Sequence, residues 1–167
     1  KPLGACYTRP KITEYLCTQT IYQLILDKVK HPEVTGVLPA RQFETVPELL
    51  IQLDAPLCRE LLWKVLPELK SLDPACGSGA FLVAAMKVLI NLYSAVIGKI
   101  KFLHEASLTA WLQQTEEAHP SLSYFIKKQI VVKNLFGVDI MEEATEIVKL
   151  RLFLALVSSA TTLEQLE

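Results

Sequence analysis

The sequence predicts an α/β protein in which helices alternate with the strands of a parallel sheet. The first observation is a short apolar run at 69–72, followed by a glycine-containing turn and a long apolar helical block from 80 to 97. The second is another strand-like run after residue 129, followed by a further helical block over 142–157. Strand, glycine turn and helix in this order are typical of a Rossmann-like sheet. We expect the N-terminal part of such a fold, with an added helical region in front of it.

The residues before the first strand are predicted to be helical. Apolar residues recur near the N-terminus with a spacing of about 3.6, which predicts a helix over Lys11–Val29. Prolines and a glycine within His31–Phe43 predict a loop, and two short helices are expected at Val46–Leu53 and Leu57–Leu66. We therefore assign residues 1–68 to a helical N-terminal segment.

Residues 69–167 are assigned to the first half of the Rossmann-like domain. The elements expected there are a strand at Leu69–Leu72, a helix at Ala80–Ile97, a polar helical insert over about 99–128, a second strand at Ile130–Val132 or Leu135–Ile140, and a helix at Glu142–Val157.

The composition is that of a folded domain. The chain has 167 residues, of which 51% are hydrophobic and 21% charged, which is enough apolar surface for one core and too little charge for a disordered chain. Its most apolar stretch, Phe81–Gly98, is interrupted by polar residues, so we expect no membrane span. The N-terminus lacks an initiator methionine and the apolar core of a secretory signal, and we expect the chain to be part of a longer protein.

The charge balance argues against a free-standing DNA-binding domain. Seventeen Lys and Arg residues against eighteen Asp and Glu residues leave a formal net charge of −1. Such domains usually carry a basic excess, because contacts to phosphates supply much of their affinity. If the protein acts on DNA, we expect other parts of it to supply most of the contacts.

The cysteines and histidines are spaced too irregularly for a metal site. Four cysteines and three histidines are scattered along the chain without a Cys-x-x-Cys pair or a Cys/His pair at ligand spacing. We therefore expect no metal and interpret the cysteines as reduced thiols of a cytoplasmic protein.

The turn after the first strand carries the strongest signal of a binding site. Glycines at 77 and 79 allow a sharp bend and let a ligand approach the backbone, and the following helix presents unpaired N–H groups at its start. Asp73 stands at the end of the strand, ahead of the glycines. Because a carboxylate repels phosphate and pairs with an ammonium group, the turn favours a ligand with a cationic amino group over a pyrophosphate.

A dinucleotide-binding site is a weaker interpretation of the same turn. The fingerprint Gly-x-Gly-x-x-Gly requires a third glycine, and Leu82 occupies that position. The next candidate acid, Asp139, comes 60 residues after Gly79, whereas the fingerprint places its acid about 20 residues on. An NAD-dependent oxidoreductase is therefore disfavoured.

Asp139 has two interpretations from its position alone. An acid at the end of the second strand can accept hydrogen bonds from both ribose hydroxyls of a nucleoside, and Ile140 could then cover one face of the adenine. Alternatively, Asp139 caps the helix that follows, since aspartate is favoured at that position. Position does not separate the two.

Three segments together resemble a known family. The segment Leu72–Leu82, LDPACGSGAFL, resembles motif I of S-adenosylmethionine-dependent DNA adenine-N6 methyltransferases, and Asn134–Ile140, NLFGVDI, resembles their motif II. Gly4–Ile12 is similar to motif X, and the order X, I, II is that of the gamma class. The helical insert is similar to that of type IIG and type ISP restriction–modification enzymes.

The resemblance implies a cofactor, S-adenosyl-L-methionine, and a role for each matching residue. Tyr7 and Thr8 would lie near the methionine carboxylate, and Asp73 would bind the ammonium group. Asp139 would bind the ribose hydroxyls, with Ile140 against the adenine. The remaining implied contacts are backbone approach at Ala75, Gly77 and Gly79, and a wall of the site at Phe81.

The resemblance also implies a reaction, methyl transfer to adenine in DNA within a restriction–modification system. The family grips the flipped adenine with an (Asn/Asp/Ser)-Pro-Pro-(Tyr/Phe) motif, and this chain has no adjacent prolines. We therefore expect no catalytic residue in these 167 residues and no activity from them alone. DNA contacts, and a fused nuclease or specificity domain, would belong to other parts of the protein. The alternative is a non-catalytic module that binds an adenosine ligand.

Overall fold

The computed structural model describes residues 8–30 and 41–159. This part of the chain is mostly helical and holds a small parallel sheet. The main elements are α1 (Pro10–Lys30), α2 (Val46–Ile51), α3 (Ala55–Glu60), β1 (Ser71–Asp73), α4 (Ala80–Leu103), α5 (Ala106–Ala118), α6 (Leu122–Gln129), β2 (Leu135–Gly137) and α7 (Glu142–Val157).

The sheet pairs β1 with β2 in parallel, with Ser71 opposite Leu135 and Asp73 opposite Gly137. The pairing continues beyond both strands, because the Val138 N–H donates to the Asp73 carbonyl and the Cys76 N–H donates to the Val138 carbonyl, each at 2.9 Å. The predicted parallel pairing of two strands is confirmed, within a described chain that is mostly helical. The complete Rossmann-like sheet stays a prediction, since the described residues contain this one pair of strands.

The N-terminal helices form where the sequence predicts them. Helix α1 begins at Pro10, a residue suited to a first turn, and packs along α4 through a buried face that includes Ile21, Ile25 and Val29. Thr45 and Asp54 cap α2 and α3 by accepting hydrogen bonds from backbone N–H groups. The loop predicted at 31–43 lies largely outside the described residues.

The helix predicted at Leu57–Leu66 is less regular than expected. Helix α3 ends at Glu60 and continues through a π-helical turn, Leu61–Val65, into a last α-helical turn, Leu66–Glu68. The π-turn keeps Leu61, Leu62 and Val65 in the core.

Both strands differ from their predicted bounds. The first, Ser71–Asp73, begins two residues later and ends one residue later than the predicted Leu69–Leu72, because Leu69 is buried at the end of the preceding helical turn. Of the two predictions for the second strand, Ile130–Val132 is wrong, since these residues lie in a π-helical turn, Ile130–Asn134. The alternative, Leu135–Ile140, contains the observed strand but is three residues too long.

Helix α4 extends beyond its predicted end at Ile97, so that prediction is wrong. Gly98 lies inside the helix with open space around its Cα, and Ile100 is buried beyond it. The predicted insert, 99–128, therefore contains the end of α4, then α5 and most of α6. Helix α7 has its predicted bounds.

Helix α4 is long and apolar enough to cross a membrane by length and composition. Its apolar character is accounted for by the core, in which eleven of its residues are buried. The same core includes Ile25 of α1, Leu57 of α3 and Val148 of α7. Segments 1–68 and 69–167 thus share one core where the structure describes them, and their division into two domains stays a prediction.

Candidate functional site

The candidate site lies where the turn between β1 and α4 meets the end of β2. Parallel strands bring their carboxyl ends to one edge of a sheet, and here that edge carries Asp73 and Asp139. Open α/β sheets bind ligands outside this edge. The two predicted acids are thus brought to neighbouring strand ends.

The turn depends on two glycines with positive φ. Gly77 has φ 49° and Gly79 has φ 82°, a conformation that other residues adopt at a cost. A Cβ on Gly79 would also lie 2.9 Å from Cγ2 of Val148 on α7. Gly79 is the residue before the first residue of α4 and has no side chain to cap it, so the first turn of α4 keeps N–H groups without a side-chain acceptor.

Gly137 of β2 allows the strand and helix α4 to pack closely against each other. The dinucleotide fingerprint uses its third glycine for close packing of helix on strand. Here the equivalent residue, Leu82, is buried, and a Cβ on Gly137 would lie 2.7 Å from its Cδ1. The glycine that permits the close packing therefore lies in the strand, whereas the dinucleotide fingerprint places it in the helix. In this respect the turn differs from a dinucleotide site.

The Asp139 carboxylate links the end of β2 to the glycine turn. Its Oδ2 accepts a hydrogen bond from the Gly77 N–H at 2.7 Å, and its Oδ1 accepts one from the Met141 N–H at 2.9 Å. These hydrogen bonds, that from Met141 first, lower the pKa of the carboxyl. Asp139 is not the N-cap residue of α7, because Met141 holds that position, without a side-chain capping hydrogen bond.

Asp73 keeps part of its carboxylate free. Its Oδ1 accepts a hydrogen bond from the Ala75 N–H at 3.2 Å, while its Oδ2 accepts none from the residues that the structure describes. Asp73 and Phe81 line a groove of about 430 Å³ between α1, β1 and α4. Across this groove, the Cys17 thiol donates to the Phe81 carbonyl at 3.5 Å. Burial raises the pKa of Cys17, and the charge of Asp73 raises it further.

Cys76 lies within the turn but is not suited to nucleophilic chemistry. Its side chain is buried against the position of Gly137. Burial raises the pKa of its thiol, and the negative charges of Asp139 and Asp73 raise it further. The sequence-based interpretation of Cys76 as a small turn residue agrees with this environment.

The other predicted site residues vary in how closely they join the turn. Ala75 is exposed within it, and Ile140 is 97% exposed beside Asp139. Thr8 is half-buried ahead of α1 and makes none of the hydrogen bonds of the turn in the described part of the chain. Tyr7 lies outside the described residues.

Two residues of the site were missed by the sequence analysis. Gly137 had a signal, since an isolated glycine in a strand indicates a close backbone approach. Arg151 of α7 had none: its Nη1 donates to the Ser78 carbonyl at 2.6 Å, across 73 positions of sequence. Only the packing of α7 against the turn brings these two groups together.

The chemistry of the site is that of two carboxylates beside a helix start that has no side-chain cap. Within 8–30 and 41–159, no three His, Cys, Asp or Glu side chains converge as metal ligands would. An ammonium group and ribose hydroxyls can donate to the carboxylates, whereas a pyrophosphate would be repelled by both. These carboxylates are suited to a ligand that carries an ammonium group and free hydroxyls.

Comparisons with known proteins agree with this chemistry. The family described as "MmeI, DNA-methyltransferase domain" matches residues 55–166. A protein of Methanocaldococcus jannaschii named "Putative type II restriction enzyme and methyltransferase" is 32% identical over 164 residues, which cover 95% of this chain and 12% of that protein. The chain thus spans about an eighth of the length of this curated relative. No solved structure matches.

Proposed function

Because the chain belongs to the DNA-methyltransferase domain family of MmeI, we propose that it is the cofactor-binding part of an S-adenosylmethionine-dependent DNA methyltransferase. The proposed reaction is transfer of a methyl group to N6 of adenine within a restriction–modification system. The family match and the name of the archaeal relative support the methyltransferase and the restriction–modification system. The cofactor is argued from the residues of the site, and the target atom from the resemblance of the segments 4–12, 72–82 and 134–140 to motifs X, I and II.

The observation that carries the proposal is the pair of carboxylates at neighbouring strand ends. S-adenosylmethionine has an ammonium group at one end and a ribose with two hydroxyls toward the other. Asp73, with Oδ2 free of the described residues, accepts from the ammonium group. Asp139 accepts from the ribose hydroxyls, because each of its oxygens retains a lone pair beyond its backbone hydrogen bond.

The remaining contacts follow from the turn between these acids. Ala75, Gly77 and Gly79 let the ligand approach the backbone, and Phe81 forms a wall on the side of the groove. Ile140, 97% exposed, is available to cover the adenine ring. Tyr7 and Thr8 are proposed to lie near the methionine carboxylate, by their match to motif X.

The wider setting is proposed from the relative and from composition. DNA contacts, the adenine-binding motif and a fused nuclease or specificity domain would belong to other parts of a longer protein, as the name and length of the relative suggest. We propose a Rossmann-like fold for the complete domain. A cytoplasmic location is proposed from the unpaired thiols of Cys17, Cys58 and Cys76.

The proposal is tested at Asp139. Asp139→Ala is expected to weaken S-adenosylhomocysteine binding about tenfold or more, measured by isothermal titration calorimetry, because two hydroxyls lose a charged acceptor. Asp139→Asn keeps one acceptor oxygen and should lose less. Glu143→Gln, a carboxylate change four residues further on, is the matched control and should bind as the unmodified chain does. A fall in melting temperature with unchanged affinity in the Ala variant would contradict the ribose contact.

A non-catalytic adenosine-binding module is the second candidate, since it would use the same site. A longer protein that contains this chain separates the two candidates. With radiolabelled S-adenosylmethionine, the enzyme transfers methyl groups to adenine-containing DNA, and the module transfers none.

A further inference from the structure

We propose that Arg151 is a positioning residue for the cofactor site, holding the peptide group between Ser78 and Gly79 in the orientation that shapes the turn. This inference rests on the proposed function for its effect on cofactor binding. Its effect on the turn itself rests on the structure alone.

The peptide group between Ser78 and Gly79 is hydrogen-bonded at both ends. Its carbonyl, on Ser78, accepts from Arg151 Nη1 at 2.6 Å. Its N–H, on Gly79, donates to the Cys76 carbonyl at 2.7 Å. A peptide group flanked by glycine rotates with little steric hindrance. The contact from α7 therefore fixes a group that the turn alone holds at one end only.

The second step is that α7 contacts the turn through one face. Val148 and Arg151 are three residues apart and lie on the same side of the helix. The Val148 side chain packs over Gly79, where even a Cβ would be only 2.9 Å from its Cγ2. The helix is thus already docked against the turn, and the guanidinium spans a short and defined distance to Ser78.

The third step connects this contact to the proposed cofactor contacts. The segment from β2 to α7 reaches the turn at Gly77 through Asp139, at Gly79 through Val148 and at Ser78 through Arg151. Gly77 and Gly79 are the positions at which the ligand is proposed to approach the backbone. A rotation of the Ser78–Gly79 peptide would move the N–H groups and the backbone path at both positions.

The test compares three variants of the 167-residue chain. Arg151→Met keeps the aliphatic stem and removes every donor, whereas Arg151→Lys keeps one charged donor. Lys149→Met is the matched control, because it removes a cation from the same helix whose observed partner is Glu146. Two quantities are measured for each: amide hydrogen exchange by NMR and S-adenosylhomocysteine affinity by calorimetry.

In Arg151→Met, the Gly79 amide is expected to exchange about tenfold faster, while the amides of Leu89 and Leu92 in the buried middle of α4 exchange at the unmodified rate. Affinity should fall about three- to tenfold, because the turn is then in the binding orientation for a smaller fraction of the time. Arg151→Lys should retain most of the slow Gly79 exchange and most of the affinity. Lys149→Met should match the unmodified chain in both quantities.

Unchanged Gly79 exchange in Arg151→Met would overturn the proposal. So would an equal acceleration at Gly79, Leu89 and Leu92, since that describes a loss of global stability. Faster Gly79 exchange with unchanged affinity would overturn the cofactor part. If the unmodified chain binds no S-adenosylhomocysteine, the proposed function fails, and the exchange rates still decide the role of Arg151 in the turn.

Discussion

Asp139 connects the two strand–helix units of the described chain through a single carboxylate. Because backbone hydrogen bonds from Met141 and Gly77 lower its pKa, the ionised form is stabilised in the folded chain. These contacts therefore stabilise the fold fully above the ordinary pKa of an aspartate, and the stabilisation is lost as the pH falls through the lowered pKa of Asp139.

The Gly77 amide, which donates to Asp139, is expected to report the titration of this carboxyl. Its NMR resonance is expected to shift as Asp139 is protonated, with a midpoint below the usual aspartate value of about 3.9. Asp139→Asn should abolish the titration. A midpoint at or above the usual value would show that the hydrogen bonds to Gly77 and Met141 do not form in solution.

The two glycines of the turn are predicted to differ in cost when replaced. In Gly77→Ala the added Cβ has open space around it, so the only expected cost in free energy of unfolding is that of the positive φ, about 1 kcal/mol. Gly79→Ala combines a positive φ with a steric clash against Val148, so it should lower the free energy of urea unfolding by about 2–4 kcal/mol. In the double variant Gly79→Ala/Val148→Ala, the loss in free energy of unfolding should be smaller than in Gly79→Ala, once the cost of Val148→Ala alone has been subtracted. Equal costs at both glycines would contradict the packing of α7 on the turn.

At the residue scale, the sequence predicted the groups that stand next to the turn in the chain. Asp73, Gly77 and Gly79 belong to one short segment, and the strand pattern brings Asp139 beside them. Arg151 could not be predicted in the same way, because its contact with Ser78 depends on how α7 packs. The observed partners of Asp139 also required the structure.

The position of β2 is set by a buried side chain, Asn134. Its Nδ2 donates to the Leu66 carbonyl at 2.7 Å and to the Leu69 carbonyl at 2.8 Å, joining the residues before β2 to those before β1. An amide outside the sheet thus holds together the segments from which the two strands begin.

Asn134→Ala is expected to lower the free energy of unfolding by about 2–3 kcal/mol, because the Leu69 carbonyl loses the donor observed for it and the Leu66 carbonyl keeps only the longer hydrogen bond from the Leu69 N–H, at 3.4 Å. Asn134→Asp should cost more, since a carboxylate would face both carbonyls. Asn91→Ala, an exposed change on α4, is the control and should cost less than about 0.5 kcal/mol. A loss in Asn134→Ala no larger than in this control would contradict the role of the amide.

A glycine inside α4 gives a prediction of the opposite sign. Gly98 has open space around its Cα and lies in a continuous helix. Gly98→Ala should therefore raise the free energy of unfolding by about 0.5–1 kcal/mol. Gly77→Ala, with similar space but a positive φ, provides the contrast. Destabilisation by Gly98→Ala would indicate a helix end near Ile97, as the sequence first suggested.

At the element scale, periodicity predicted the helices better than the strands. Helix α1 was predicted from its apolar spacing, and α7 from a long helical block that follows the second strand. The run Ile130–Val132 is β-branched and predicted a strand, yet it continues α6 as a π-turn in which Ile130 is fully buried. Packing thus overrides the local preference for a strand.

At the scale of the whole molecule, the charge and the sequence predict what the chain cannot do alone. With a net charge of −1 and no adjacent prolines, it should bind DNA weakly and transfer no methyl group to it. A radiolabelled-methyl assay on adenine-containing DNA checks this. Turnover above a sample without protein would contradict the assignment of the adenine-binding groups to other parts of the protein.

Discrimination between two ligands is the sharpest test of the proposed pair of carboxylates. Isothermal titration of the 167-residue chain with S-adenosylhomocysteine and with NAD compares an amino-acid nucleoside with a pyrophosphate at the same pair of carboxylates. The account predicts tighter binding of S-adenosylhomocysteine, accompanied by NMR shifts at the Gly77, Gly79 and Ile140 amides. Tighter binding of NAD, or S-adenosylhomocysteine binding that leaves these three amides unshifted, would contradict it.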